Sequence, residues 1–281
     1  MEMKAIVITG ATDGIGLATL RLALEKEVFV IGVARNRSKA QSLIEKINNP
    51  QLTFVYGDLS SKKEVVSIAE QILTLLHQEK LHLTALIHVA GAVFTQREVT
   101  VDGYEKQFAI NHLAVFYLTK LLTPELTKNG PSRVLVVSSY SHRFGHIFKK
   151  DVQLSHGYWL LTAYAQSKLM NVLFVNESAK RFAARQISFY AIDPGLVNTS
   201  LAWKQTKGLE RWAWSFKKKQ GDSPEVPARH MVAIALDDYY AEKTGLYWKN
   251  GIPLICAKKA RNPILMKWLY DYSERLCEDE K

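Results

Sequence analysis

Cysteine is scarce in this sequence. Its 281 residues contain only Cys256 and Cys277, both near the C-terminus and neither in a spacing typical of metal ligands. A disulfide-bonded scaffold and a zinc-finger type of site are therefore excluded. Reduced thiols are the default in a cytosolic protein, so we expect a cytoplasmic location and no bound metal ion.

Long apolar runs are also lacking. No stretch approaches the ~20 apolar residues that a helix needs to span a bilayer. Residues 1–9 are too short, and lead too directly into a glycine motif, to form a signal peptide. We therefore expect no transmembrane segment, while peripheral contact with a membrane stays open.

Acidic residues are outnumbered by basic ones. The 37 Lys and Arg residues against 27 Asp and Glu residues give a net charge of +10. A basic surface attracts phosphates, anionic membranes or nucleic acid. Because no nucleic-acid recognition motif accompanies this charge, we expect a phosphorylated cofactor as the anion and no nucleic acid.

Strands and helices alternate along the chain. Apolar runs predict strands at residues 4–9, 28–33, 52–56, 85–89, 133–137, 187–192 and 245–248, and helical spacing predicts helices at 15–26, 38–48, 62–78, 101–128, 162–185, 224–236 and 262–277. Such alternation predicts a Rossmann-type, doubly wound α/β fold with a mostly parallel seven-stranded sheet and helices on both faces. No linker interrupts it, so residues 1–281 are expected to form one domain.

Three glycines, Gly10, Gly14 and Gly16, lie between the first predicted strand and helix. A glycine-rich turn of this kind lets the backbone approach a pyrophosphate, and the helix N-terminus supplies free N–H groups. An ordinary turn is the alternative, but the strand before and the helix after favour a phosphate-binding loop.

The glycine spacing, in Thr9-Gly10-Ala11-Thr12-Asp13-Gly14-Ile15-Gly16, resembles the classical short-chain dehydrogenase/reductase family. The resemblance implies a nicotinamide dinucleotide cofactor. It assigns cofactor contacts to the residues Gly10, Thr12, Asp13, Gly14, Ile15, Gly16, Asp58, Leu59, Ala90, Gly91, Tyr164, Lys168, Pro194, Gly195, Val197 and Thr199. Asp58 matches the aspartate that accepts a hydrogen bond from the adenine amino group in relatives, with an N-cap of the next helix as the alternative role. The loop of Pro194, Gly195 and Thr199 matches the one that closes over the nicotinamide in relatives, with a plain turn as the alternative.

The end of the second predicted strand bears on the choice of cofactor. An acidic residue there would hold the ribose hydroxyls of NAD, but this sequence has Ala34 followed by Arg35. An arginine can pair with a ribose 2′-phosphate, although a solvated basic helix start is the alternative. We expect NADP(H) to be preferred over NAD(H). Asp13 departs from this pattern, because many NADP-using relatives carry a basic residue there.

Tyr164 and Lys168 are four residues apart on a predicted helix, so both side chains share one face. Free tyrosine has a pKa near 10, and a neighbouring ammonium and an oxidised nicotinamide favour the phenolate and lower it. Tyr164 can then act as proton donor and acceptor. A packed or exposed helix face is the alternative for so short a motif.

The resemblance adds two further catalytic residues. Ser139, rather than its neighbour Ser138, matches the serine that hydrogen-bonds the substrate carbonyl, and Asn111 matches the asparagine that kinks a helix and binds a water of the proton relay. The order of Asn111, Ser139, Tyr164 and Lys168 along the chain favours an active enzyme.

Two features depart from the commonest pattern of the family. His88-Val89-Ala90-Gly91 stands where many relatives have Asn-Asn-Ala-Gly, which leaves open how the central sheet is braced. Ser139 precedes Tyr164 by 25 residues, about twice the compact spacing. The longer spacing resembles the retinol-dehydrogenase-like branch, which acts on bulky hydrophobic alcohols and aldehydes.

Two C-terminal segments bear on substrate and partners. Residues 200–222, rich in tryptophan and lysine, are expected to cover the substrate, and contact with an anionic membrane or a solvated charge run is the alternative. Helix 262–277 is expected to pack on its own domain or on a neighbouring subunit. Family members associate through the two long helices, so a homodimer is plausible, and a monomer stays open.

Together these features predict an NADP(H)-dependent oxidoreductase that interconverts a small hydrophobic carbonyl compound and its alcohol. The alternative is a catalytically silent, NADP(H)-binding regulatory protein of the same fold. The intact set of Asn111, Ser139, Tyr164 and Lys168 favours the enzyme.

Overall fold

A computed structural model describes residues 2–128, 130–197 and 221–278. Its strands are β1 (Met3–Thr9), β2 (Phe29–Ala34), β3 (Leu52–Tyr56), β4 (Leu81–His88), β5 (Ser132–Val137), β6 (Ile187–Asp193), β7 (Leu246–Lys249) and β8 (Ile252–Leu254). Its α-helices are α1 (Gly14–Leu24), α2 (Arg37–Ile47), α3 (Lys62–Gln78), α4 (Lys106–Phe108), α5 (Ala114–Lys128), α6 (Leu160–Arg181), α7 (Glu225–Leu236) and α8 (Pro263–Glu278).

The strands form one sheet with the order β3-β2-β1-β4-β5-β6-β7-β8. Neighbouring strands are parallel from β3 to β7, and β8 alone is antiparallel to its neighbour. The strand order reverses between β1 and β4, and in such sheets ligands bind at the carboxyl ends of the strands at this reversal. The predicted fold class is confirmed.

The predicted count of seven strands is wrong by one. The additional strand, Ile252–Leu254, has three exposed residues and includes Pro253. It follows a tight turn in which Asn250 and Gly251 both have positive φ, 51° and 73°. So short and exposed an edge strand has no hydrophobic alternation that could reveal it in the sequence.

Helices cover both faces of the sheet. In β5, Val134 and Val136 pack into the core shared with α3, α5, α6 and α8, whereas Leu135 and Val137 pack into the core shared with α1 and α7. Burial on both faces explains why the strands are continuous apolar runs rather than alternating ones. None of the helices within the described residues is long and apolar enough to cross a bilayer.

The predicted helix at residues 101–128 begins five residues too early. Val99 and Glu105 form an isolated antiparallel bridge, and the turn between them contains Gly103 with φ at 81°. The Glu105 carboxylate then caps α4 by accepting hydrogen bonds from the backbone N–H groups of Gln107 and Phe108 at 2.8 and 2.7 Å. The capping carboxylate sets the start of this helix, which its apolar spacing does not reveal.

The segment between β5 and α6 is packed against α6. A 3₁₀ turn at Tyr140–Arg143 follows the strand. The Gln166 side chain joins the segment at two points, accepting from Phe148 N and donating to Val152 O, both at 3.0 Å. Gly145 lies so close to α6 that an added Cβ would stand 2.3 Å from the carbonyl oxygen of Ala165.

Helix α8 packs on α5 and α6 of its own chain. The Phe116 and Tyr270 rings lie 4.9 Å apart edge to face, and His112 Nε2 is 2.9 Å from Ser273 Oγ. At the surface, Arg181 donates to the carboxylate of Asp271 at 2.8 Å. The tail helix therefore completes the core on this face.

Gly145→Ala should destabilise the protein by about 1–3 kcal/mol, because the added methyl group would meet the α6 backbone and neither element can move freely. Urea unfolding followed by circular dichroism measures this loss. His156→Ala, at an exposed position of the same segment, is the control and should stay within about 0.5 kcal/mol of wild type at pH 8. Equal stability of the two variants would contradict the close packing of Gly145.

Candidate active site

The four predicted catalytic residues meet at the carboxyl edge of the sheet. Asn111 lies in a π-helical turn, Ala109–Leu113, between α4 and α5, and Ser139 follows β5 directly. Tyr164 and Lys168 lie one turn apart in the first half of α6, with Lys168 Nζ 5.6 Å from the centre of the Tyr164 ring. A proton donor, a hydroxyl group and an ammonium thus occupy one region.

Tyr164 is half-buried, and its surroundings act on its hydroxyl in opposite directions. Burial raises the pKa of Tyr164, the hydrogen bond with the Ser139 side chain lowers it, and the negative charge of Asp193 raises it again, with a net increase. The lowering expected from Lys168 is therefore not seen in the protein alone, where burial is the largest influence on the pKa of Tyr164. At neutral pH the phenol therefore holds its proton and can donate it.

The two neighbouring serines have different partners. Ser138 is buried, and its Oγ donates to the carbonyl oxygen of Lys168 at 2.9 Å, which ties β5 to α6. Ser139 Oγ accepts from Ser141 N at 3.2 Å and interacts with Tyr164. Ser139 is therefore the serine beside the proton donor, whereas Ser138 holds the scaffold.

Lys168 is 4% exposed, and burial lowers its pKa to about 8. Its ammonium donates to the carbonyl oxygen of Val137 at 3.0 Å, and Asn171 Nδ2 donates to the same oxygen at 3.2 Å. A Cβ added at Gly91 would lie 3.7 Å from the Lys168 ammonium. Lys168 therefore links the end of β5 to the loop that follows β4.

Asn111 is fully buried, and its amide holds that same loop. Its Oδ1 accepts from Ala92 N at 2.7 Å, and its Nδ2 donates to Ala92 O at 2.9 Å and to Ser167 Oγ at 3.1 Å. Ser167 Oγ in turn donates to the carbonyl of Tyr164 at 2.8 Å. The expected helix kink is present as the π-helical turn, and it aims the amide at the catalytic helix.

The glycine turn is packed too tightly for any other residue. Gly10 has φ at 69°, and an added Cβ would lie 2.9 Å from the backbone of Ala90. An added Cβ at Gly16 would lie 2.2 Å from the carbonyl oxygen of Gly10. Half-buried Thr12 and Ile15 flank the N-terminus of α1, where Asp13 Oδ1 accepts from Gly14 N at 2.8 Å. Such close backbone at the N-terminus of a helix fits a pyrophosphate.

Three basic side chains surround the end of β2, and they differ in availability. Lys39 Nζ lies 3.1 Å from Asp13 Oδ2, and the guanidinium of Arg37 lies 4.4 Å from the centre of the Tyr56 ring. The Arg35 side chain is 69% exposed, 3.5 Å from the Asp58 carboxylate. Arg35 is therefore the most accessible of the three to an anion.

The other residues assigned to the adenine end follow β3. Asp58 Oδ1 accepts from Ser60 N at 2.9 Å, and half-buried Leu59 packs against the core. Helix α3 is capped by Ser61, whose side chain accepts from Glu64 N. Asp58 is thus not the N-cap, the alternative role considered for it.

Pro194 and Gly195 continue from β6 as a turn in which Gly195 has φ at 74°. The chain then pairs at Val197 with Asp222 in a parallel bridge. Thr199 and residues 200–220 of the expected substrate-covering segment lie outside the described residues.

Comparison with known proteins accords with this geometry. The short chain dehydrogenase family model matches residues 4–210. Retinol dehydrogenase 12 of Homo sapiens is 37% identical over 279 residues, covering 98% of this chain and 85% of its own length. Retinol dehydrogenase 11 of Homo sapiens is 30% identical over 274 residues, covering 96% and 84% respectively. A crystal structure of an uncharacterised protein from Mycobacterium paratuberculosis superposes with a TM-score of 0.79 at 26% identity, over 99% of this chain and 95% of that one.

The chain belongs to the short-chain dehydrogenase family. Within it, the similarity to the retinol dehydrogenases confirms the expected branch. The protein is thus an oxidoreductase of the class that interconverts alcohols and carbonyl compounds with a nicotinamide cofactor.

The roles of several residues that shape this dehydrogenase site were not predictable from the sequence. Thr9 Oγ1 accepts from the N–H groups of Val89 and Ala90 at 3.1 and 3.2 Å, which joins the glycine turn to the loop after β4. His88 Nε2 lies 2.9 Å from Thr119 Oγ1, and burial lowers the pKa of His88 to about 3. A neutral histidine thus braces β4 against α5.

His142 is another buried residue whose role the sequence did not reveal. Its Nδ1 lies 2.8 Å from the carbonyl oxygen of Ser139, and its Nε2 accepts from Ala257 N at 3.1 Å. Because Nε2 accepts, Nδ1 carries the proton, and the ring is neutral. His142 therefore ties the Ser139 turn to the chain after β8.

A groove of about 670 Å³ lies between residues 146–151 and 259–265. None of the four catalytic candidates lines it.

Within the described residues, no group of three or more His, Cys, Asp or Glu side chains could hold a metal ion.

Lys168→Met should raise the free energy of unfolding at pH 7 by about 2 kcal/mol while it removes activity, because a buried ammonium with a lowered pKa opposes folding. The Val137 carbonyl keeps its bond from Asn171. In wild type, the free-energy cost of burying the Lys168 ammonium is full below pH 8. It fades between pH 8 and about 10.4, because Lys168 loses its proton at a lower pH in the folded state than in the unfolded state. The advantage of the variant should therefore shrink over that window.

Urea unfolding at pH 7, 8 and 9.5 measures the effect of Lys168→Met. Lys180→Met changes an exposed lysine of the same helix and should leave the pH dependence of stability as in wild type. A Lys168→Met protein that is less stable than wild type at pH 7 would contradict the burial penalty.

Proposed function

We propose that this short-chain dehydrogenase uses NADP(H) to interconvert a hydrophobic carbonyl compound and its alcohol, with Tyr164 as general acid and base. The observation that carries the proposal is the contact of the protonated Tyr164 hydroxyl with Ser139, one helical turn from the Lys168 ammonium. A regulatory protein that only bound the cofactor would have no need of a protonated phenol beside the Ser139 hydroxyl.

The side chains divide the chemistry among them. The nicotinamide, when bound, supplies or accepts the hydride. Ser139 and Tyr164 offer two hydroxyl groups to one substrate oxygen, so the negative charge that develops on that oxygen is stabilised. Tyr164 passes its proton to the oxygen in reduction and takes it back in oxidation. Lys168, fixed on the Val137 carbonyl, would hold the cofactor ribose.

Apolar side chains around the catalytic edge support a hydrophobic substrate. Tyr140, Phe144, Leu196 and Ile255 are 57%, 73%, 53% and 73% exposed. Tyr140 and Leu196 adjoin Ser139 and the Gly195 turn in the chain, and the Arg143 guanidinium donates to the carbonyl of Ile255. The names of the similar retinol dehydrogenases point in the same direction, to a long apolar alcohol or aldehyde.

Preference for NADP(H) is supported by Arg35. Its exposed guanidinium stands at the carboxyl end of β2, where no carboxylate occupies the preceding position, Ala34. Its weak pairing with Asp58 at 3.5 Å leaves its donors available to a 2′-phosphate.

Assembly and location are part of the same proposal. Helix α8 lies on α5 and α6, the helices through which the family resemblance implies association, so we favour a monomer over a homodimer. Cys256 and Cys277 are free and buried, which supports a reducing compartment such as the cytoplasm. Peripheral membrane contact stays the alternative for the segment 200–222, of which residues 200–220 lie outside the described part of the chain.

Tyr164→Phe should lower turnover by a factor of about 10³ or more, because the ring stays in place and only the proton donor is lost. The assay follows NADPH oxidation with the best substrate among long-chain aldehydes, retinal, steroids and quinones. Cofactor affinity should change little. A variant that keeps its turnover would remove Tyr164 from this role, and wild type inert towards every compound would favour the regulatory alternative.

Arg35→Ala should weaken NADPH binding by a factor of about 10–100 and NADH binding by less than about twofold, since only NADPH carries the 2′-phosphate. Fluorescence titration of both reduced cofactors gives the dissociation constants. Arg21→Ala, an equal loss of charge at an exposed position of α1, should leave both unchanged. An equal effect of Arg35→Ala on the two cofactors would refute the assignment.

A further inference from the structure

Asp193, the last residue of β6, is a buried carboxylate that the proposed chemistry leaves unused. It is 3% exposed. Its Oδ2 accepts from the Tyr247 hydroxyl at 2.6 Å and its Oδ1 from Gly195 N at 3.0 Å. Both donors are neutral. Within residues 2–128, 130–197 and 221–278, no ion pair joins Asp193 to a cation, including Lys249, which lies opposite it on β7.

A buried carboxylate that is satisfied only by neutral donors is costly, because its charge has left water without meeting an opposite charge. A cationic ligand that binds beside such a carboxylate supplies the missing charge. The surroundings of Asp193 therefore call for a cation near the carboxyl end of β6.

The direction of the Asp193 side chain places this charge at the catalytic end. Phe189 and Ala191 precede it at alternate positions of β6 and pack into the core shared with α6, so Asp193 lies on the α6 face. Its backbone leads into the turn at Gly195, which the family resemblance assigns to the nicotinamide. The field of the carboxylate also reaches Tyr164, whose pKa it raises.

We propose that Asp193 sets the charge of the nicotinamide end, favouring the oxidised, positively charged ring over the neutral reduced ring. This inference rests on the proposed function and deepens it. The nicotinamide becomes a cation as hydride leaves it, so a fixed negative charge stabilises that change and assists carbonyl reduction. The Lys168 ammonium would disfavour the same cation, and Asp193 offsets it.

Titratable groups of three elements face Asp193. Tyr164 and Lys168 face this region from α6, and Tyr247 and Lys249 from β7. Burial and the Asp193 hydrogen bond raise the pKa of Tyr247, so it remains a neutral donor. His142, from the 3₁₀ turn, is uncharged, because burial lowers its pKa and its Nε2 accepts from the backbone.

The test compares Asp193→Asn with Tyr247→Phe. The asparagine keeps the shape and the acceptor for Gly195 N but removes the charge, whereas the phenylalanine removes one hydrogen bond and keeps the charge. Calorimetric titration at pH 7 gives dissociation constants for NADP⁺ and NADPH. Asp193→Asn should weaken NADP⁺ by about tenfold and NADPH by less than about twofold, while Tyr247→Phe should affect both alike.

Two further measurements separate charge from structure. Asp193→Asn should change the ratio of NAD⁺ to NADH affinity by the same factor as the ratio of NADP⁺ to NADPH affinity. NAD⁺ and NADH share the nicotinamide but lack the 2′-phosphate that is assigned to Arg35. Wild type and Asp193→Asn are also titrated without cofactor, each beside the same protein carrying Tyr164→Phe. The ultraviolet difference within each pair reports the ionisation of the Tyr164 phenol, whose titration midpoint should be lower in Asp193→Asn than in wild type.

Equal weakening of both oxidation states by Asp193→Asn would overturn the inference and leave Asp193 as a brace of the Gly195 turn. If that variant does not fold, Asp193→Ser provides the same comparison with a smaller neutral acceptor. A wild-type protein that binds no nicotinamide cofactor in either state would instead overturn the proposed function itself. The two failures are therefore distinguishable.

Discussion

The carbonyl of Val137, at the end of β5, is the point on which the site depends. It receives hydrogen bonds from Lys168 and Asn171, two residues of α6 that lie nearly one turn apart. Ser138 Oγ returns a bond to the carbonyl of Lys168. These three bonds fix the axial position of α6 on the sheet, and with it the position of Tyr164 beside Ser139. Since backbone and buried side chains make them, they leave the catalytic hydroxyls free.

The side chains of the site differ in whether they carry a charge. The site keeps one buried ammonium, on Lys168, and one buried carboxylate, on Asp193, without pairing them. His88 and His142 are held neutral by burial and by their hydrogen bonds. Each charge that remains in the site can therefore act on Tyr164 or on whatever binds beside it.

Local pattern in the sequence was enough to predict the fold class, the glycine turn and the pair Tyr164 and Lys168, because each depends on neighbours within one turn or strand. Long-range partners were not predictable. Thr9 bonds to a residue 81 positions away, His142 to one 115 away and Asp193 to one 54 away. A buried polar residue looks the same in a sequence as an exposed one until its partner is known. The strand β8 was not predictable for a different reason, because its three exposed residues have no hydrophobic alternation.

The long spacing between Ser139 and Tyr164 leaves the catalytic geometry intact because the extra residues are held against α6, by Gln166 at Phe148 and Val152 and by two contacts near their start. His142 holds the start of the segment to the Ser139 carbonyl and to Ala257, and Gly145 packs on the backbone of α6 directly after Tyr164. The exposed rings of Tyr140 and Phe144 lie in the same stretch of the chain, beside the catalytic edge. The insertion therefore adds exposed apolar surface beside the catalytic edge without separating Tyr164 from Ser139.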